Sequence, residues 1–170
     1  TTAENVAKKF KILRKEQQDF AISSHTKASQ AQKDGKFNEE IVPIGKCNAD
    51  GNIRPGTTQE KLDQLKLAFD PNGTVTAATS SPLTDGAAAT IICEENYAKD
   101  NNLDILGRII STAVEGCDPD YMGLGPIGAT KKALKRANLS IDQIDIFELN
   151  EAFASQSLAC IKDLGIDQKK

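Results

Sequence analysis

Ile144-Asp145-Ile146-Phe147-Glu148-Leu149-Asn150-Glu151-Ala152-Phe153-Ala154-Ser155-Gln156-Ser157-Leu158 is the stretch on which the reading of the fold turns. Ile144 to Leu149 reads as a strand. Glu151 to Leu164 reads as a helix that presents Phe153, Ser157, Ile161 and Leu164 along one side and stops at Gly165. Asn150 stands at the junction, and α/β sheets place their sites at the C-terminal ends of strands. A helix start leaves backbone N–H groups free and carries partial positive charge. An Asn amide there can donate to an oxyanion or hold a water that does so. Asn is also among the best helix N-caps, and Glu151 in a first turn complements the dipole. On these residues alone the cap is the preferred reading.

Upstream of this stretch the alternation repeats. Pro126 suits a first helical position, and Ile127, Thr130, Leu134 and Ala137 recur along one face, so a helix begins there. Ser140 to Gln143 is a turn or cap. Leu106 to Val114 is a candidate strand, Glu94 to Asn101 a helix, and Ala87 to Cys93 a small-apolar run fit for a strand buried on both faces. Thr74-Val75-Thr76-Ala77 is β-branched and strand-like. Strand followed by helix, repeated, means an α/β fold.

The first third differs. Ala3 to Gly35 is rich in Lys, Glu, Gln and Ala, with Val6, Phe10, Phe20, Ala21, Ala28 and Ala31 at helical spacing, which predicts two helices joined near Ile12 to Lys15. Gly35 ends the second. Glu40 to Ile44 reads as a short edge strand because it contains Pro43. Residues 45–60 form an irregular excursion, Gln59 to Phe69 a short helix, and Asp70-Pro71-Asn72-Gly73 a turn in which Asn-Gly accepts positive φ. A domain boundary is placed at that turn.

Composition narrows the function. The 170 residues carry net charge −3, so no broad positive field is available for nucleic acid. No apolar run approaches the roughly 18 residues that span a bilayer. Cys47, Cys93, Cys117 and Cys160 form no CxxC pair, and His25 is the only histidine, so no metal site is expected and a reducing compartment fits. Thr1 opens the chain without Met or a signal-peptide pattern, as an internal segment would. Met122-Gly123-Leu124-Gly125-Pro126 approaches a helix but lacks the Lys of a P-loop, and Pro126 removes one N–H from any phosphate nest. Ser80 and Ser81 have no base nearby in sequence, which disfavours a serine hydrolase. Arg54 can pair with an anion or stack on a ring, with a solvated loop arginine as the default. His25 is read as an ordinary helix residue.

Five landmarks in fixed order nevertheless resemble the thiolase family, above all the 3-ketoacyl-CoA thiolases of fatty-acid β-oxidation. They are Thr2-Ala3-Glu4-Asn5-Val6-Ala7, Gly35-Lys36-Phe37-Asn38-Glu39-Glu40-Ile41-Val42-Pro43, Asp85-Gly86-Ala87-Ala88-Ala89, Gly116-Cys117-Asp118-Pro119 with Met122-Gly123-Leu124-Gly125-Pro126, and Asn150-Glu151-Ala152-Phe153-Ala154. The resemblance implies a partial thiolase-like layered α/β/α fold with an inserted, mostly helical loop domain. It divides the chain into a coenzyme A-binding loop domain (residues 1–73), the end of the N-terminal half (74–101) and the start of the C-terminal half (102–170). It implies that Arg54, Phe69, Ala77 and Ser81 contact coenzyme A and that Met122, Ala152 and Phe153 line the acyl and pantetheine channel. By the same likeness Asn150 holds an oxyanion-hole water, which displaces the cap reading.

The implied reaction is thiolysis of a 3-ketoacyl-CoA, or its reverse, through a cysteine thioester, with coenzyme A as substrate and no cofactor or metal. The resemblance sets the nucleophilic Cys before Thr1 and the proton-transferring His and Cys after Lys170, so these residues by themselves are expected to be inactive. It also implies a homodimer or homotetramer, with a β-oxidation multienzyme subunit as a further partner, in bacterial cytoplasm or a mitochondrial or peroxisomal matrix. The alternatives are a biosynthetic acetoacetyl-CoA thiolase, a non-catalytic acyl-CoA- or lipid-binding module, and a helical interaction segment joined to an α/β core. Two departures stand out: Leu13 occupies a usual Ser/Thr cap, and Lys66-Leu67 lacks the family's Pro.

Overall fold

Ala3, Val6 and Ala7 recur at helical spacing and are all buried, which gives α1 (Thr2–Phe10) a stripe to set against the rest of the molecule. The computed structural model describes every residue from Thr1 to Lys170. Lys11 ends α1 in the left-handed conformation (φ 54°), and the Ile12 N–H returns to the Ala7 carbonyl at 2.9 Å, turning Ile12 into the core. α2 (Arg14–Lys33) begins immediately afterwards. Leu13 has no side-chain acceptor for the helix start, but the Glu16 carboxylate accepts the Leu13 N–H at 2.6 Å, so half of a capping box survives the departure.

The Gln59 to Phe69 helix is cut to α3 (Gln59–Asp63). Arg14 is the physical reason: its Nη2 donates to the carbonyls of Leu62, Asp63 and Leu65 at 3.0, 3.1 and 2.8 Å, satisfying acceptors that a longer helix would have used internally. α4 (Glu95–Asp100) starts on Glu94, whose carboxylate accepts the Asn96 and Tyr97 N–H groups. A 3₁₀ turn (Pro119–Leu124) leads into α5 (Gly125–Ala137), and α6 (Ala154–Leu164) closes on Gly165 at φ 68°. Val6, Ile12 and Ala159 make the central cluster, flanked by Phe10, Tyr121, Leu124 and Leu158. α1, the 3₁₀ turn and α6 therefore pack as one body. α2 lies across α6.

The turn at Asp70–Gly73 forms as read, with the Gly73 N–H on the Asp70 carbonyl at 2.9 Å, but neither Asn72 nor Gly73 has positive φ. Glycine is needed for another reason: a Cβ on Gly73 would lie 2.1 Å from Glu4 Oε1. That carboxylate accepts the backbone N–H groups of Thr74 and Val75, tying α1 to the segment after the turn.

The expected strands are not paired. Only isolated bridges occur, Ile44 with Cys47, Leu67 with Thr76 and Ser80 with Phe153. Glu40 closes a turn, Ile41–Pro43 are irregular and Ile44 is a single bridge residue, while Thr74–Ala77 contributes a single bridge before entering a 3₁₀ turn. Ala87–Cys93, Leu106–Val114 and Ile144–Leu149 carry neither helix nor ladder, because a strand exists only where a second one answers its N–H and C=O groups, and none does within these residues. Ile91, Leu106 and Val114 are 87%, 98% and 86% exposed. The accessible surface is 12,576 Å². A self-contained globule of the same mass exposes about 8,100 Å². These segments contribute to the excess, with Ile91, Ile92, Leu106, Ile109, Ile110 and Val114 exposed.

Candidate active site

Asn150 lies where two cavities meet. The larger, about 890 Å³, runs from the Arg54 loop across Ser24 and His25 of α2 to Ala77, Ser81 and Asn150. The smaller, about 200 Å³, is lined by Val6, Met122, Ala152, Phe153 and Gln156 as well as Asn150. Arg54, Ala77 and Ser81 are thus brought together in one chamber, and Met122, Ala152 and Phe153 in the other. Phe69 lines neither. Its ring meets Phe153 edge-on, centroids 6.0 Å apart at 76°, so it buttresses the smaller chamber from behind.

The local path of the chain explains why Asn150 is available. The Ser81 N–H donates to the Ala152 carbonyl at 2.9 Å and Ser80 bridges to Phe153, which keeps the backbone extended through Phe153 (φ −145°, ψ 141°). The N-cap of α6 is therefore Phe153, three residues beyond Asn150, and the helix does not begin at Glu151 as the periodicity implied. The cap reading of Asn150 is overturned on geometry. Its side chain makes no hydrogen bond within the chain and faces both cavities.

Arg54 is held in place by its own loop: Nη1 donates to the Gly51 carbonyl at 2.9 Å, and its carbonyl accepts the Thr57 hydroxyl at 2.7 Å. Lys61, also on the larger cavity, donates to the Gly56 carbonyl at 2.7 Å. Arg54 and Lys61 bring positive charge to the lining of this cavity, and Glu148 and Glu151 bring negative charge.

None of the four cysteines lines either cavity. Cys160 is buried in α6, and burial pushes its thiol above the ordinary value while Gln156 pulls it back in part. It packs as a neutral thiol rather than acting as a nucleophile. No three His, Cys, Asp or Glu side chains come together to hold a metal ion. No helix is long and apolar enough to cross a membrane.

Sequence reasoning missed Ser24, His25 and Glu151. Ser24 Oγ donates to Glu151 Oε2 at 2.6 Å, and His25 Nδ1 accepts the Arg54 N–H at 3.3 Å. No local motif marks them: the pairs are 127 and 29 residues apart and meet only once the chain has folded.

Residues 1–96 match the family model "Thiolase, N-terminal domain" and residues 103–170 match "Thiolase, C-terminal domain". A 3-ketoacyl-CoA thiolase of Aliivibrio fischeri is 51% identical over 97% of this chain and 45% of its own length. Human mitochondrial 3-ketoacyl-CoA thiolase, solved in complex with CoA, superposes with a TM-score of 0.96 at 44% identity, covering 99% of this chain and 44% of that one. The dimeric peroxisomal thiolase of Saccharomyces cerevisiae does so with a TM-score of 0.96 at 43% identity over the same shares. The chain spans under half the length of the relatives it matches.

Proposed function

Because this chain belongs to the thiolase family, we propose that it is the coenzyme-binding and oxyanion-stabilising part of a 3-ketoacyl-CoA thiolase. Its fold is, in part, the layered α/β fold of its structural neighbours. In the proposed reaction a cysteine sulfur outside these residues bonds to the 3-keto carbon of a 3-ketoacyl-CoA. The bond between the 2- and 3-carbons breaks, and the departing fragment takes a proton to leave as acetyl-CoA. The shortened acyl group then passes from the cysteine to coenzyme A, whose thiol proton is returned to the enzyme. Charge on the carbonyl oxygen peaks in the tetrahedral species, and Asn150 meets it by orienting a water.

The observation that carries this reading is the position of Asn150: an amide without an internal partner, at the junction of a long cleft and a small apolar chamber. The long cleft suits the extended coenzyme, with Arg54 toward its phosphorylated end, Ala77 along its wall and Ser81 on the pantetheine arm. The small chamber, with Met122, Ala152 and Phe153 and with Phe69 behind, suits the acyl carbons. Residues 1–73 form the coenzyme A-binding loop domain in this proposal, 74–101 the end of the first half and 102–170 the start of the second. Partner strands from the rest of the polypeptide, together with a homodimeric or homotetrameric assembly, cover the surface around Ile91, Leu106 and Val114. Coenzyme A enters as substrate, no metal is required, and the setting is the cytoplasm of a bacterium.

The test is Asn150→Ala in the complete polypeptide that carries these residues. Loss of one oxyanion donor lowers kcat by about 10²–10³-fold, with the KM for coenzyme A nearly unchanged. Turnover at the wild-type rate would sink the assignment.

A further inference from the structure

Two neighbouring residues of α2 do something that neither the fold nor the coenzyme site requires of them. Side chains at consecutive helical positions diverge by about 100°. Ser24 reaches the Glu151 carboxylate on one wall of the larger cavity at 2.6 Å, and His25 receives the Arg54 N–H from the other at 3.3 Å. A helical hydroxyl ordinarily turns back on its own backbone, as Thr26 does by donating to the Ile22 carbonyl at 2.7 Å. Ser24 does not. His25 accepts through Nδ1, so a neutral imidazole carries its proton on Nε2, a tautomer fixed here by the bond it makes.

The two walls depend on these bonds to different degrees. The Arg54 loop is tied mostly to itself, through Gly51 and Thr57, and meets α2 at His25 and through Gln32 on the Asp50 carbonyl at 3.4 Å. The Asn150 side chain has no bond of its own, so its placement is inherited from its neighbours: Ala152, held by the Ser81 N–H, and Glu151, held by Ser24. We infer that Ser24 and His25 are positioning residues that hold the coenzyme-binding loop and the oxyanion asparagine in fixed relation across the cleft. This rests on the proposed reading of that cleft as the coenzyme site. Through Glu151, Ser24 governs the orientation of Asn150 and hence turnover. Through the Arg54 backbone, His25 governs coenzyme affinity.

The experiment is steady-state kinetics and calorimetric titration with coenzyme A on the complete polypeptide. Ser24→Ala lowers kcat about 3- to 10-fold, the scale of one net intramolecular hydrogen bond, with the KM for coenzyme A within about twofold; Ser24→Thr restores kcat. His25→Ala raises the coenzyme A dissociation constant about 3- to 10-fold with kcat little changed. His25→Asn recovers most of the affinity, since its side-chain oxygen stands where Nδ1 stood. In an Arg54→Ala background His25→Ala adds no further loss, because the bond to the Arg54 N–H acts on affinity by placing the Arg54 guanidinium. If Ser24→Ala and His25→Ala both behave as wild type, or if the His25→Ala loss persists undiminished in Arg54→Ala, the inference fails. Variants that lower the melting temperature are judged by Ser24→Thr and His25→Asn, whose failure to restore function overturns it equally. Absence of coenzyme A binding by the wild-type protein would instead remove the reading of the cleft itself.

Discussion

The body built from α1, α2 and α6 and the stretch from Ala87 to Val114 have opposite fates, although the second is the richer in apolar residues. In the first, Val6 and Ala159 are fully buried. In the second, Ile91, Ile92, Leu106, Ile109 and Ile110 face outward. A helix satisfies its own backbone and needs only one covered stripe. A strand needs neighbours on both edges and cover on its faces, so its stability belongs to whatever completes the sheet.

The largest test of that contrast is a charge placed in each region. Val6→Asp puts an unpaired carboxylate into the central cluster and costs at least about 3 kcal/mol, enough to abolish the cooperative transition of the helical body in a urea melt monitored by circular dichroism. Ile91→Asp, made in these 170 residues, shifts the melt by less than about 0.5 kcal/mol. In the complete polypeptide the same change becomes as damaging as the first, if the sheet is completed there. Equal effects of the two substitutions in the 170-residue chain would show that Ala87–Cys93 is already buried.

A smaller effect is expected at Gly73, which joins the loop region to the Thr74–Ala77 segment. Gly73→Ala drives a methyl onto the Glu4 carboxylate, which must leave the N–H groups of Thr74 and Val75. The loss is about 2 kcal/mol, read as a lower urea midpoint at unchanged slope. Repeating Gly73→Ala in a Glu4→Ala background should cost much less, since the clashing group is gone. A cost that persisted there would mean a backbone requirement at Gly73 that its φ does not indicate.

These cases separate what local chemistry dictates from what it hides. The helix ends at Gly35 and Gly165, the junction before Arg14, the Glu94 cap and the Asp70–Gly73 turn are all set by nearby residues, and the structure has them. Seven of the eight site residues named from the sequence line one cavity or the other, and Phe69 sits against Phe153. Anything set by a remote partner stays hidden. Arg14 truncates α3 from 48 residues away. The Ser80–Ser81 segment pulls residues 151–153 out of the helix and so frees Asn150 from capping. Ser24 and His25 acquire roles only through contacts across the cleft. Strand pairing lies at the far end of this scale, since only isolated bridges form among these residues.

Cysteine chemistry separates the same two regions more gently. Burial holds the Cys160 thiol above the ordinary value of 9.0, so the folded form keeps its proton where the unfolded form gives it up. That contribution to stability is complete below pH 9.0 and declines as pH rises through the higher folded value. At pH 8 an alkylating reagent should label the exposed Cys47, Cys93 and Cys117 at least about tenfold faster than Cys160. Labelling of Cys160 at a comparable rate would mean that α6 opens on the timescale of the reaction.

The weakest expected effect lies in the exposed stretch itself, which is fastened by charges. Glu95 sits below its ordinary value, first through its hydrogen bond with Lys99 and then through the charge of Arg108; Glu115 does so through its hydrogen bond with Lys132 and then the charge of Lys132. For a lowered carboxylate, the stabilisation is present above the ordinary value of 4.5 and is lost as pH falls through the lower folded value. Both groups are solvent-exposed, so salt screens them and little global stability rides on either. The consequence is local: acidification below pH 4.5 should release Arg108 from Glu95 and Glu115 from Lys132 while Ser111 Oγ keeps its 2.8 Å bond to the Ala133 carbonyl. Amide chemical shifts of residues 106–115 should then move as pH falls below 4.5. Shifts that do not respond to acid would mean that these charges do not fasten the stretch.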